Sequence, residues 1–312
     1  MSQKRPRIPA HMHKISVLGS LGIIAHALAL FLVPAVLVRL IVGTDWPLAL
    51  QAALVVPLAL LAAQGLHMLA FLGHEGFHFS LHSNKVVSSI IGVLFSSMVP
   101  GHLDIGFAIS HWNHHKFTNR SGDPDALVFR RYHSFLARLL LARLHAVNSY
   151  LANSIRLALG RPLPFAYKFP LKPDVVQKLA WLNLATSLGF LTLYAAIAII
   201  DPLTGLVSIG LPAALVIFIT GVRPYIEHAG TGHELLTVAR TRTSWFFTAL
   251  FLGTNYHLEH HLYPSVPCYR LPQVHRLLRE QGVLADAHVE DTVLGAYAHT
   301  TSRSQYPQPL AA

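Results

Sequence analysis

The stretch Asn255–Pro264, which reads NYHLEHHLYP, places three histidines at positions i, i+3 and i+4. On an α-helix, residues with this spacing share one face, so the imidazoles of His257, His260 and His261 can point at one metal centre. Neutral imidazole is the commonest metal ligand in proteins and suits iron, zinc, copper or nickel. The stretch therefore predicts a helical turn that contributes to a metal site. We call it cluster 3.

Two earlier clusters repeat this chemistry. Cluster 2 contains His111, His114 and His115 with the same spacing, and cluster 1 contains His74 and His78 as an i, i+4 pair. Eight imidazoles packed together without a metal would leave polar nitrogens competing for partners in a dry site. We therefore predict that the three clusters meet and bind metal together.

One further histidine is a candidate for the same site. His228 follows the last apolar span, so we expect it at the same cytosolic level as the clusters. Eight or nine imidazoles exceed the roughly four to six ligands that one ion takes, so a pair of ions is predicted. The candidate ligands are His74, His78, His111, His114, His115, His228, His257, His260 and His261.

The other histidines are left out of this set. His67 lies inside a span, where an ionisable residue is a functional candidate, but a hydrogen bond to a neighbouring helix is an equally simple interpretation. His82 is expected past the metal, at the membrane surface. Six isolated ones are interpreted as core, interfacial or solvated residues, namely His11, His13, His26, His133, His145 and His299.

Composition places the chain among membrane proteins. Hydrophobic residues make up 53% of it and charged residues 12%, whereas a soluble domain carries about 25% charged residues. The single cysteine, Cys268, excludes an internal disulfide and a cysteine-based metal site. The net charge is +10, but the basic residues flank apolar spans and form no continuous tract, which argues against nucleic acid as a partner.

Four apolar stretches are long enough for the roughly 20 residues that cross a bilayer. Lys and Arg gather before the first stretch, between the second and third, and after the fourth, so the positive-inside rule predicts that both termini and all clusters are cytosolic. The predicted fold is one all-α integral membrane domain over 1–312, with four transmembrane helices and a cytosolic helical cap that holds a histidine-rich di-metal site. The predicted spans are about 15–42, 47–72, 179–200 and 203–222, and the cytosolic parts are 1–14, 73–178 and 223–312.

Three other segments complete the prediction. Residues 86–99 are apolar but too short to span, which favours a re-entrant or interfacial segment. In residues 130–161, arginines alternate with leucines, which predicts one or two amphipathic helices at the membrane surface. Residues 265–312 are polar and contain several prolines, and we expect a cap with a loose tail.

The ligand type restricts the chemistry. Neutral nitrogen ligands leave the charge of two cations uncompensated, so bound oxide, hydroxide or oxygen-derived anions are expected. Redox-inert zinc would suit hydrolysis, but nothing in the sequence indicates a hydrolase pocket. Iron with imidazole ligands suits oxygen activation. Because the clusters lie at span ends, a long apolar substrate can reach them from the bilayer.

The three clusters, in this order and spacing, resemble the histidine boxes of the membrane fatty acid desaturase superfamily. The resemblance covers roughly residues 70–275, and Asn255–Pro267 is especially similar. It implies a four-span, mushroom-like helical enzyme with a histidine-bound di-iron centre on the cytosolic side. Such enzymes use O2 and two electrons to desaturate, hydroxylate or otherwise oxidise lipid chains. The implied ligands are the eight cluster histidines, and His228 corresponds to the family's extra histidine.

Two positions depart from the family pattern. Some members have Asn four residues before the extra histidine, where this chain has Pro224, and many have Asp beside the first box histidine, where it has Glu75. Glu75 is interpreted as a residue that orients a ligating imidazole, and Asp123 and Asp125 as turn and cap residues. No fused haem domain is visible, so a separate ferredoxin-like or cytochrome-like carrier must supply electrons, and the basic cytosolic surface would attract an acidic one.

The main functional prediction is an O2-dependent, di-iron fatty-acyl desaturase. The same scaffold could act as a hydroxylase, ketolase or oxidative decarboxylase on a fatty acid or carotenoid. His74-Glu75-x-x-His78 also matches the zinc metalloprotease pattern, and Leu103–Gly106 resembles the aspartate motif of intramembrane proteases. A non-catalytic metal carrier or sensor is a further alternative.

Overall fold

Four long helices form the membrane part of the fold in this computed structural model, which describes residues 4–301 and 305–308. All four are long and apolar enough to cross a bilayer, and the fold is helical, as predicted. The fourth consists of α8 (Pro202–Thr204), a π-helical turn (Gly205–Gly210) and α9 (Leu211–His228) in continuous succession. The other three are α1 (Val17–Val42), α2 (Leu48–Phe77) and α7 (Pro173–Ile200).

The helices extend beyond the predicted apolar spans. The second span was expected to end near 72, but α2 continues to Phe77 and carries cluster 1 on its last turn. The fourth was expected to end near 222 and continues to His228. An apolar run shows which part of a helix lies in the bilayer, but not where the helix ends. Because histidines do not break a helix, α2 and α9 continue beyond the apolar layer towards the site. The third span begins earlier than predicted, because Pro173 takes the first helical position of α7, six residues before the expected start.

The remaining elements connect the spans or cover their ligand-bearing ends. Side-chain caps start several of them: Asn84 accepts hydrogen bonds from the backbone of α3, Asp123 from that of α5, and Ser134 from that of α6. These elements are α3 (Lys85–Ser96), α4 (Asp104–Phe117), α5 (Pro124–Phe129), α6 (Phe135–Ala158), β1 (Arg240–Arg242), α10 (Trp245–Phe251), α11 (His257–Leu262), α12 (Leu271–Glu280), β2 (His288–Glu290) and α13 (Val293–Thr300). The two strands pair in parallel.

Glycines allow the elements around cluster 1 to approach closely. A Cβ atom on Gly76 would lie 2.7 Å from the Cα of Gly92, so α3 packs directly against the last turns of α2. A Cβ on Gly106 would collide with the backbone of Tyr150, so α4 and α6 are equally close. These close backbone contacts fix α2 and α4, the helices that carry clusters 1 and 2.

The arginine-rich segment forms a single helix, α6, which is amphipathic as predicted. Leu136, Leu141 and Leu144 are exposed, whereas Ala142 and Ala146 are buried. The exposed leucines suit a helix that lies at the boundary between the bilayer and water.

The prediction of a loose tail is wrong at Tyr306. This side chain is buried and its ring packs against those of Phe129, Tyr225 and His228. Burial of an aromatic ring against other rings releases water from both surfaces. This burial is favourable even when the neighbouring residues in the sequence are polar. Residues 302–304 and 309–312 of the tail lie outside the described residues.

Candidate metal centre

The structure brings all nine candidate histidines together in two groups. Within each group, the candidate ligand atoms lie within 4.8 Å of one another. Apart from His115, which is partly exposed, the nine are buried. The first histidine group contains His74, His78, His111, His115 and His260. The second histidine group contains His114, His228, His257 and His261.

The ring nitrogens of the first histidine group converge. The Nε2 atom of His111 lies 2.9 Å from the Nε2 atoms of His74 and His115. The Nε2 atom of His115 in turn lies 2.9 Å from that of His260. His78 completes the group with a buried Nε2 atom that has no hydrogen-bond partner among the described residues.

The second histidine group converges in the same way. The Nε2 atom of His257 lies 3.0 Å from that of His228 and 3.2 Å from that of His261. The Nε2 atoms of His261 and His114 are 3.3 Å apart. For metal–nitrogen bonds of about 2.1 Å, two ligands at a right angle are about 3.0 Å apart and two at a tetrahedral angle about 3.4 Å. The spacing in both groups therefore fits imidazoles arranged around one ion each.

Helix geometry explains how clusters 2 and 3 each contribute to both groups. Residues i and i+4 differ by about 40° around a helix, whereas i+3 and i+4 differ by about 100°. His111 and His115 accordingly share the first histidine group, and His114 belongs to the second. In cluster 3, His257 and His261 share the second group and His260 joins the first. The expectation that one cluster points at one metal was too simple, since each triplet connects two centres.

Hydrogen bonds on the outer nitrogens orient several of these rings. The Nδ1 atom of His114 lies 2.9 Å from Oδ1 of Asp123, and that of His228 lies 2.9 Å from the carbonyl oxygen of Val238. A ring that donates from Nδ1 keeps the lone pair of Nε2 free for a metal. Burial lowers the pKa of His114, but the carboxylates of Asp123 and Asp125 outweigh it and raise the pKa to about 9. The acidic pair thus favours a proton on the nitrogen that faces it.

A sequence match identifies the family to which the chain belongs. The sequence profile of the fatty acid desaturase family matches residues 46–292, which is most of the chain and includes all nine histidines. The chain belongs to the fatty acid desaturase family. A search among curated proteins found no match. Membership of this family implies oxidoreductase activity on lipids, and the four apolar helices agree with an integral membrane protein.

Asn119 connects the groups that accept hydrogen bonds from the Nδ1 atoms of His114 and His228, and sequence reasoning missed it. Its backbone is left-handed, with φ of 59°, a conformation in which Asn is enriched. The backbone nitrogen of Asn119 donates to Oδ2 of Asp123 at 2.8 Å. Its side-chain Nδ2 atom donates to the carbonyl oxygens of Gly232 and Val238 at 2.7 and 3.0 Å. One residue therefore positions the acceptors of both His114 and His228.

Glu259, within cluster 3, was also missed. Its side chain is fully buried, and Oε1 lies 2.6 Å from Nδ1 of His275 while Oε2 accepts a hydrogen bond from Thr241. Both oxygens are engaged on the side of α11 away from the metal groups, so Glu259 fixes the helix that carries His257, His260 and His261. The sequence signal that could have identified it is the position of a carboxylate between His257 and His260.

Glu75 is held in a way that disfavours the metalloprotease alternative. Its Oε1 lies 3.3 Å from Nδ1 of His74, and its Oε2 accepts hydrogen bonds from Ser80 Oγ at 2.8 Å and from the backbone nitrogen of Cys268 at 3.0 Å. These contacts agree with the interpretation that Glu75 orients an imidazole, and they leave no oxygen directed at a water nucleophile. Asp104, from the protease-like motif, lies 3.1 Å from His102 and belongs to neither histidine group.

The two nearby histidines that the sequence analysis set aside belong to neither group. The Nε2 atom of His67 lies 2.8 Å from Nη1 of Arg223, and its Nδ1 lies 3.1 Å from Oε1 of Gln64. His82 accepts a hydrogen bond from the backbone nitrogen of Asn84. Both rings are therefore satisfied by protein groups.

Two openings are lined by members of the histidine groups, and a third lies beside one of them. One cavity of about 100 Å³ is lined by five of the nine histidines together with aromatic residues and Arg143. A second, apolar cavity of about 190 Å³ lies between α9 and α10. A polar cleft of about 450 Å³ reaches His115 and His261, and its walls include Arg5, Lys116 and Arg120.

Proposed function

We propose that this protein is an integral membrane di-iron enzyme that uses O2 to oxidise a lipid chain, and that the reaction is desaturation of a fatty acyl substrate. The observation that carries the proposal is the division of nine imidazoles into one group of five and one of four. Desaturation removes two hydrogens from adjacent carbons. Together with two electrons from a carrier and two protons from water, they reduce O2 to two molecules of water.

The first histidine group would hold one iron ion and the second histidine group the other. Imidazole nitrogens suit iron, and iron supplies the capacity to activate O2 for attack on an unactivated carbon. The protein's own contribution is to fix the rings through Asp123, Glu75 and the Val238 carbonyl, and to keep the site buried. A buried site protects a reactive oxidant from side reactions with water.

We also propose that both termini and the metal centre face the cytosol. The support is the distribution of Lys and Arg, which are absent from residues 43–46 and 201–204 but frequent at the other span ends. The C-terminal ends of α2 and α9 both carry candidate ligands, so these two ends lie at one membrane face.

Electrons would arrive through the polar cleft. Arg5, Lys116 and Arg120 line it, and Glu234 is its one acidic lining residue among those described. His115 and His261, one from each histidine group, lie at its inner end. A separate, acidic carrier of the ferredoxin or cytochrome type would therefore dock with its cofactor close to both iron ions.

Lipid analysis tests the proposal. Cells that express the protein should contain a lipid that has lost two hydrogens, and cells that express His260→Ala should not, although the variant still inserts and binds less iron. His11→Ala, which removes an exposed histidine outside both groups, is the matched control. Hydroxylation or ketolation would instead add oxygen, and oxidative decarboxylation would shorten the chain by one carbon.

Metal analysis separates the remaining alternatives. We expect two iron ions per chain and no activity without O2. One zinc ion per chain with activity that survives the removal of O2 would favour the protease, and iron binding with unchanged lipids would favour a carrier or sensor.

A further inference from the structure

The cavity of about 100 Å³ borders both histidine groups. Ala70 on α2, Phe107 on α4 and Pro224 on α9 line it, and each stands four residues, or about one turn, before a candidate ligand on its own helix. Because α2 and α9 emerge from the apolar layer at their ligand-bearing ends, residues one turn earlier lie deeper. The cavity is thus the space through which a chain from the bilayer would reach the metals.

A cation that forms no ion pair with any described residue lines this cavity. Arg143 of α6 forms no hydrogen bond or ion pair with any described residue, and its Cζ atom lies 5.8 Å from the centroid of the Tyr150 ring. Burial lowers the pKa of Arg143, which reflects the cost of holding a charge away from water. By contrast, Arg223 in the same cavity pairs with Glu227 at 2.7 Å.

The carboxylate of Asp125 attracts Arg143 across the cavity but makes no direct contact with it. Asp125 lines the same cavity, but its Oδ2 lies 3.8 Å from Nδ1 of His114, and no ion pair joins it to Arg143. Two metal cations on neutral imidazoles would add further positive charge to this space. The cavity therefore favours an incoming anion.

We propose that Arg143 binds the carboxylate of a free fatty acid in this cavity, an inference that rests on the proposed lipid oxidation. The planar guanidinium matches a carboxylate with two parallel hydrogen bonds. A volume of about 100 Å³ accepts a carboxylate and a few carbons, and it is smaller than the pockets of about 300 Å³ or more that enclose larger ligands. The carbons next to the metals are then those near the carboxyl end, and oxidation occurs there.

The apolar cavity offers room for part of the remaining chain. It adjoins the first cavity, because His67, Arg223 and Glu227 line both. Its other walls include Ile219, Val222, Phe247 and Phe251. Beside it, the side chain of Trp245 on α10 is 80% exposed, as suits an aromatic residue at a membrane interface.

Binding measurements test the inference separately from turnover. The iron-loaded, full-length protein in detergent micelles, without reductant, is titrated with hexadecanoic acid and with its methyl ester. We expect Arg143→Gln to weaken binding of the acid about 10- to 100-fold and to leave binding of the ester unchanged. Arg143→Lys should retain most of the preference for the acid. Arg156→Gln, which removes an exposed cation from the same helix, should change neither affinity.

Two results would overturn the inference. One is an equal acid-to-ester affinity ratio in the wild type and in a folded Arg143→Gln variant, or in a folded Arg143→Met variant if the former does not fold. The other is a wild-type product oxidised at mid-chain or at the methyl end, which would leave the proposed function intact. If the iron-loaded wild type oxidises no lipid, the proposed function fails, while the affinity ratio still reports on Arg143.

Discussion

The Nδ1 atom of His114 lies 2.9 Å from the Oδ1 atom of Asp123. The same carboxylate accepts hydrogen bonds from the backbone of Asn119 and of Asp125, so it also caps α5. Asp123 therefore has two roles, since it ends the loop after cluster 2 and sets the orientation of a candidate ligand. A partner of this kind raises the basicity of the imidazole and fixes its tautomer.

Replacing Asp123 with Asn should lower metal affinity. We expect Asp123→Asn to reduce it about 10- to 100-fold, as is usual when the partner of a ligating histidine is lost. The measurement is the iron retained during titration with a chelator, with the melting temperature recorded to separate misfolding from metal loss. Asp174→Asn, at an exposed position on α7, is the control. Equal iron retention in Asp123→Asn and the wild type would remove Asp123 from the site.

The unequal size of the two histidine groups predicts unequal sensitivity. His257→Ala leaves three ligands in the second histidine group, whereas His78→Ala leaves four in the first. We expect His257→Ala to lose close to one iron ion per chain and His78→Ala to lose less than half of one, because four ligands still complete a metal site. Iron content per chain after gel filtration measures both. Similar losses, or a greater loss in His78→Ala, would contradict the division into five and four.

Charge reversal at the polar cleft should slow electron delivery. Lys116→Glu places a negative charge beside His115 and should raise KM for an acidic carrier about 10-fold, with the effect diminishing at high salt. Turnover with a small neutral reductant should stay within about 2-fold of the wild type, because that route needs no docking. Arg279→Glu, at an exposed position of α12 outside the cleft, is the matched control. A carrier KM that responds equally to both variants would place the docking surface elsewhere.

The ion-pair network around Glu290 should make stability depend on pH in the acid range. Burial raises the pKa of Glu290, but a hydrogen bond from His299 and the charges of Arg242 and Arg240 outweigh it and lower the pKa to about 2. The ordinary value is 4.5, so the ionised carboxylate stabilises the fold fully above pH 4.5, and this contribution is lost as the pH falls towards 2.

We therefore expect Glu290→Gln to lower the free energy of unfolding at pH 7 by about 1 kcal/mol, a modest value because the group is partly exposed. The difference in melting temperature between the variant and the wild type should shrink as the pH falls from about 5 to about 2. Thermal unfolding in detergent at several pH values measures it. A difference that stays constant with pH would show that the charge of Glu290 does not matter.

Local sequence features predicted most of the fold and the candidate ligand set. A run of apolar residues long enough to cross a bilayer is visible in any one segment, as is the i, i+3, i+4 spacing of His257, His260 and His261, because both depend only on neighbours along the chain. The helical membrane fold followed from these features and is confirmed. Helix ends were placed less well, since α2 and α9 extend beyond their apolar parts to carry His74 and His228.

The tertiary structure decided how these residues are used. The division of each triplet between two groups depends on how α4 and α11 face each other, and no spacing within one helix encodes that. The roles of Asn119 and Glu259 depend on contacts with residues far away in the sequence. The sequence by itself determined which side chains are available to bind metal. Only packing between distant elements decided which of them meet, because a contact energy exists only once the chain has brought both partners together.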